Sequence, residues 1–152
     1  VDVTEDHFDT IFNINIRAAF FVAQTVAARM IEKNIKGSII NMSSQMGHTA
    51  SPNRTVYCAS KHAIEGLTKA MAVELASKGI RVNTVAPTFV ETPMTKPFFE
   101  KPGFRDFVLN KIALGKVAEM QDVAAAVLYL ASPAANMVTG TSLRVDGGWT
   151  AH

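Results

Sequence analysis

Two short runs rich in β-branched residues, around Ile39-Ile40 and from Ile80 to Val85, stand between long helical stretches, and this alternation constrains the fold more than any other feature. A strand that is apolar on both sides needs cover on both faces. Strands that alternate with helices pair in parallel through right-handed crossovers. The spacing predicts helices over about 5–33, 56–78 and 121–131, and strands over 38–44, 80–85 and 142–146. The expected architecture is α/β, a doubly wound parallel sheet of about three strands with flanking helices. Residues 1–152 read as one domain, with no repeats, low-complexity tracts or linkers.

Local signals place these elements. Thr4-Glu5-Asp6 offers a capping hydroxyl followed by acids that suit a helix N-terminus. Phe8, Phe12, Ala19, Val22, Val26 and Met30 recur at helical spacing and predict the buried stripe of the first helix. Asn15 falls on that stripe, where a polar amide needs a partner. In the second helix Glu65 and Lys69 form an i, i+4 pair, and Lys78-Gly79 supplies a stop. Residues 88–112 hold Pro93, Pro97 and Pro102 together with Phe89, Phe98, Phe99, Phe104 and Phe107. A Pro-broken, Phe-rich stretch after a strand predicts either a mobile lid over an apolar cavity or an insert buried against a partner subunit.

Charge and cysteine usage narrow the function classes. The 15 Lys and Arg are scattered and the net charge is +2, so no nucleic-acid stripe or polybasic membrane patch is visible. The apolar runs are interrupted well before the roughly 20 residues of a membrane span. One cysteine and four scattered histidines provide neither an internal disulfide nor a spaced metal-ligand cluster. A reducing, cytoplasmic setting is the expectation.

The chemistry-bearing residues lie at the second helix and the strand before it. Tyr57 and Lys61 stand at i, i+4 and share a helix face. An ammonium beside a phenol stabilises the phenolate and is expected to draw the tyrosine pKa down. Ser44, at the C-terminal end of the 38–44 strand, sits where α/β sheets hold ligands. A hydroxyl there can hold a carbonyl or alcohol oxygen against the phenol, which makes a proton-transfer site for a C–OH/C=O pair. Cys58 and His62 also share a face but lack an orienting carboxylate, and His48 reads as a solvated loop histidine.

These residues resemble the C-terminal part of a short-chain dehydrogenase/reductase. The resemblance rests on Asn15 six residues after Asp9, Ile40-Asn41-Met42-Ser43-Ser44, Tyr57-x-x-x-Lys61 and Arg81-Val82-Asn83-Thr84-Val85-Ala86-Pro87. Thr92-Pro93-Met94 and Val145-Asp146-Gly147-Gly148-Trp149 complete it, all in family order along nearly the whole chain. It implies a partial Rossmann-like fold and an oxidoreductase that moves hydride between NAD or NADP and a secondary alcohol or ketone. It implies a catalytic tetrad of Asn15, Ser44, Tyr57 and Lys61. Tyr57 would be the acid/base, Ser44 would orient the substrate oxygen, and Lys61 would tune the phenol and hold the nicotinamide ribose. The Asn15 backbone would anchor a water leading to Lys61. Tyr57, Lys61, Pro87, Val90 and Thr92 would contact the cofactor, the last two through backbone groups and a hydroxyl that receive the carboxamide. A homo-oligomer, dimer or tetramer, is implied, with the first two long helices in its core.

Two departures stand out. Thr88 occupies the place where the family usually has glycine after the proline, so this loop either takes an ordinary extended backbone or alters the nicotinamide end of the pocket. The first βαβ half, with its Gly-rich phosphate-binding turn and the residue that selects NAD or NADP, has no counterpart in these residues. The expectation is a fragment of a longer polypeptide, or a chain that folds beside another copy, because the 38–44 strand would otherwise present an open edge. Two rival functions are a hydrolase with Ser44 as nucleophile and Tyr57/Lys61 as base, which lacks a Ser-x-x-Lys or G-x-S-x-G motif, and a non-catalytic oligomerisation module.

Overall fold

The computed structural model describes residues 2–151. Its helices are α1 Glu5–Phe12, α2 Ala19–Glu32, α3 Thr55–Leu75, α4 Lys96–Phe99, α5 Phe104–Lys111 and α6 Met120–Ala131. Its strands are β1 Ser38–Met42, β2 Arg81–Pro87 and β3 Ser142–Val145. They form one parallel sheet in the order β1-β2-β3, with Ile39 opposite Val82 and Val85 opposite Leu143. This is the α/β sheet with flanking helices that the alternation predicts.

Strand periodicity divides the core. Ile39 and Val82 turn to one face and pack with Ala23 and Ala27 of α2 and Met71 and Ala72 of α3. Val85 turns to the other face and packs with Ala126 and Leu130 of α6. The five central residues of β2 are all buried, as expected of a strand covered on both sides. Thr4 caps α1 by accepting the His7 amide at 3.2 Å. Gly79 closes the α3 end with φ 72°.

The first helix departs from expectation in three ways. It runs unbroken from Glu5 to Glu32 but contains a π-helical segment, Asn13–Ala18, between α1 and α2. Its buried face is Ala23 and Ala27, while Phe8, Val22 and Val26 of the predicted stripe are exposed. The helix is apolar on more than one side, so periodicity alone does not select the inner face, and the small alanines take it because they let α2 approach the sheet closely. By length and composition this helix is also apolar enough to cross a membrane, contrary to the reading from uninterrupted runs: its polar residues are isolated and are averaged out over a full span.

The Phe-rich segment builds a satellite core. Phe89 meets Phe99, Phe104 and Trp149 with ring centroids 6.3, 5.5 and 5.7 Å apart. These rings lie against Val108, Ile112 and Val117. Trp149 reaches them through a turn in which Gly147 has φ 57°, and a Cβ there would stand 2.5 Å from Ile112 Cγ2.

Candidate active site

Ser44, Tyr57 and Lys61 converge at the C-terminal end of β1. Ser44 follows the strand by two residues and caps a short 3₁₀ turn, Gln45–Gly47, by accepting the Met46 amide at 3.2 Å. That turn lies directly on α3. A Cβ on Gly47 would come within 2.9 Å of the Lys61 carbonyl and 2.8 Å of Ser43 Oγ, so this approach requires glycine. The Ser44 hydroxyl donates to Gln45 Oε1 at 2.7 Å and acts on the Tyr57 phenol to lower its pKa.

Tyr57 and Lys61 share a face of α3. Lys61 Nζ is 5.5 Å from the Tyr57 ring centroid and donates to the Met42 carbonyl at 3.0 Å. Burial pushes the phenol above its ordinary value, and this outweighs the lowering effects of the Ser44 hydrogen bond and Arg54. The downward shift expected from Lys61 is thus overturned: burial raises the phenol, and Lys61 is not among the groups that shift it. Burial also holds Lys61 below the usual lysine range, while the Glu65 carboxylate draws it back up. Both groups are poised by desolvation of the charged form.

Asn15 projects from the π segment toward α3. Its Nδ2 donates to Ser60 Oγ at 3.0 Å, and Ser60 Oγ donates to the Tyr57 carbonyl at 2.7 Å. The amide on the apolar stripe thus has its partner, and that partner precedes Lys61 in the chain and bonds the Tyr57 carbonyl. Neither Ser60 nor the π segment carried a sequence signal. An interrupted α-helical ladder is a common companion of functional sites.

Pro87, Val90 and Thr92 lie together on a second wall. With Met42 and residues of α6 they line an open, mostly apolar cavity of about 710 Å³. Met42 joins the two regions, since its side chain lines the cavity and its carbonyl holds Lys61. The Val90 carbonyl accepts from Thr95 Oγ1 at 2.6 Å, and the Thr92 and Thr95 hydroxyls are 3.1 Å apart. Thr88 lies outside the left-handed region, so the ordinary backbone alternative holds at that departure. Its hydroxyl is buried without a protein partner. A flat ring bearing an amide fits this wall: apolar cover from Pro87, Val90 and α6, with Thr92 beside it.

Other sequence-level candidates resolve differently. His62 Nδ1 contacts the Cys58 backbone carbonyl at 3.0 Å, so the two residues form no thiol–imidazole pair. Glu65 does not reach for Lys69. It is buried and meets Thr84, Ser142 and His48 instead. His48 is exposed, as the sequence suggests, but its Nε2 is engaged, 3.2 Å from Glu65 Oε1 and 2.8 Å from Ser142 Oγ. The Lys61 ammonium donates to the Met42 carbonyl and the Ser44 hydroxyl to Gln45 Oε1, so these two groups do not bond each other.

Known proteins share this sequence and fold. The family model described as enoyl-(acyl carrier protein) reductase matches residues 1–150. L-xylulose reductase of Mus musculus is 45% identical over 151 residues, covering 99% of this chain and 62% of its own length. D-erythrulose reductase of Gallus gallus is 42% identical over 149 residues, 98% of this chain and 61% of its own. Among solved structures, 4-hydroxyisoleucine dehydrogenase complexed with NADH superposes with a TM-score of 0.96 at 36% identity, covering 99% of this chain and 62% of that one. The chain therefore spans about three-fifths of the length of these relatives. With the motifs in order, the doubly wound sheet and the clustered serine, tyrosine and lysine, the chain belongs to the short-chain dehydrogenase/reductase family.

Proposed function

We propose that this chain carries the proton-transfer and nicotinamide-facing part of an oxidoreductase that interconverts a secondary alcohol and a ketone. The observation that carries the reading is the meeting of the Ser44 hydroxyl, the Tyr57 phenol and the Lys61 ammonium beside the Pro87–Val90–Thr92 wall. Tyr57 is the acid/base. A phenol held above its ordinary pKa is protonated at neutral pH, which suits donation to a carbonyl oxygen. Ser44 holds that oxygen by a hydrogen bond, and Lys61 offsets the charge left on the phenol after donation. Asn15, through Ser60, fixes the backbone at Tyr57 and Lys61. NAD or NADP is the fitting cofactor, with Lys61, Tyr57, Val90 and Thr92 around its nicotinamide end. When bound, it supplies or accepts the hydride at carbon.

The relatives named for L-xylulose and D-erythrulose favour a small hydroxylated ketone as substrate. The exposed Phe8, Ile14, Phe20, Phe21 and Val22 of the first helix favour a homo-oligomer that covers them. The function is tested by following nicotinamide absorbance with a panel of ketoses and the intact protein. Tyr57→Phe is expected to lower kcat at least 100-fold with the fold unchanged, on the order of the 10²–10⁴ that general acid catalysis contributes. Undiminished turnover in that variant refutes the role given to Tyr57.

A further inference from the structure

Glu65 is a buried carboxylate in contact with three elements at once. It lies one helical turn beyond Lys61 and two beyond Tyr57 on the same side of α3. Thr84 Oγ1 of β2 is 3.0 Å from each of its oxygens, and Ser142 Oγ of β3 donates to Oε1 at 3.1 Å. His48 Nε2, from the loop that begins at Ser44, is 3.2 Å from Oε1 and 2.8 Å from Ser142 Oγ. The same nitrogen faces both groups, so this is no relay of the Ser–His–acid kind. Gly47 seats the Ser44 loop against the Glu65 stem, where a Cβ would stand 3.2 Å from Glu65 Cγ.

We propose that Glu65 is a positioning residue of the proton-transfer site: its clamped carboxylate locks the Ser44 loop to α3 and compensates the Lys61 ammonium from the side away from the phenol. This inference rests on the roles given above to Tyr57, Ser44 and Lys61. Its physical basis is that a desolvated ammonium needs a compensating charge, and the Met42 carbonyl supplies only a dipole. The titratable groups facing this pair are Tyr57 on α3 and His48 on the loop. From the strands, Met42 presents its carbonyl, Thr84 and Ser142 present hydroxyls, and Arg144 on the same side of β3 is engaged with Thr150 at 3.2 Å. Glu65 touches no part of the cavity wall. It acts through Lys61 and His48.

The test is the titration of Lys61 in the intact protein, labelled at the lysine ε-carbon, read by NMR and assigned with Lys61→Arg. Glu65→Gln keeps the shape and removes the charge. The Lys61 midpoint is expected to move to lower pH, and the high-pH limb of kcat to move with it, with KM nearly unchanged. An unmoved Lys61 midpoint overturns the proposal, because a merely structural glutamate would leave it in place. Glu65→Asp keeps the charge and withdraws it by one methylene, so it shifts the midpoint in the same direction by less. A midpoint in that variant at or above the wild-type value overturns the proposal even if Glu65→Gln does not fold. The titration needs neither substrate nor nicotinamide, so a failure of the proposed hydride chemistry shows separately, as absence of turnover in the wild type.

Discussion

The link from Asn15 through Ser60 to the Tyr57 backbone is a two-bond bridge between the first helix and α3, and a double-mutant cycle measures it directly. Ser60 is fully buried, and its hydroxyl both accepts from Asn15 at 3.0 Å and donates to the Tyr57 carbonyl at 2.7 Å. Ser60→Ala removes both bonds. At roughly 0.5–1.5 kcal/mol per bond, the loss is about 1–3 kcal/mol. The lower half is expected, because Asn15 is only partly buried and water can replace its partner. With a urea slope of roughly 1–3 kcal/mol per molar, a loss of that size moves the unfolding midpoint by on the order of 0.5–1 M. Asn15→Ala alone is harder to read, because alanine also raises helix propensity. The cycle of Asn15→Ala, Ser60→Ala and the double variant cancels that contribution. The expected coupling is about 0.5–1.5 kcal/mol, within the usual range for contacting residues. Additivity within about 0.3 kcal/mol, the behaviour of independent sites, would show that the 3.0 Å contact carries no energy and that Asn15 is not held by Ser60.

Three further outcomes follow from packing and charge. Gly47→Ala forces a Cβ to within 2.8–2.9 Å of Ser43 Oγ and the Lys61 carbonyl, so kcat should drop at least tenfold with a stability loss of about 1–3 kcal/mol. Wild-type kcat in that variant contradicts the close seating of the Ser44 loop. Leu130→Ala empties a fully buried position between α6 and β2 and should cost about 2–5 kcal/mol by chemical denaturation, with the Lys61 environment unchanged. Burial raises the Asp146 carboxyl, but hydrogen bonds from Thr150 and Gly148 win and hold it below its ordinary range. A folded-state pKa below the unfolded one gives stability that is complete above the ordinary carboxylate range and is lost as pH falls through the folded value. Asp146→Asn should therefore destabilise the protein at neutral pH, with a gap from wild type that narrows under acid conditions. A gap that stays constant down to strong acid refutes this account.

Much of the fold was legible because its signals are local. Ile39-Ile40 and Ile80 to Val85 can be little other than buried strands, Thr4 and Gly79 mark helix ends, and the alternation fixes parallel pairing. The inner face of the first helix was not legible, because Phe8, Val22 and Val26 compete with Ala23 and Ala27 and hydrophobicity does not say which side meets the sheet. Asn15 could be singled out as needing a partner, but Ser60 lies 45 residues away and no periodicity connects them. The proximity of Ser44, Tyr57 and Lys61 was readable from helix spacing and strand-end position. The direction of the Tyr57 shift was not, since it depends on how completely the phenol is desolvated. Glu65 looked like half of an i, i+4 pair with Lys69. Only the register that sets Thr84 beside Ser142 turns it inward.

Among the described residues β1 pairs with β2 alone, yet it holds Lys61 through Met42 and leads into the loop that bears Ser44. The reactive groups thus hang from an edge strand, whose opening is governed by five backbone pairings. Whatever lies alongside Ser38–Met42 would slow that opening and stiffen the geometry of proton delivery together, so amide exchange at β1 and turnover should rise and fall as one.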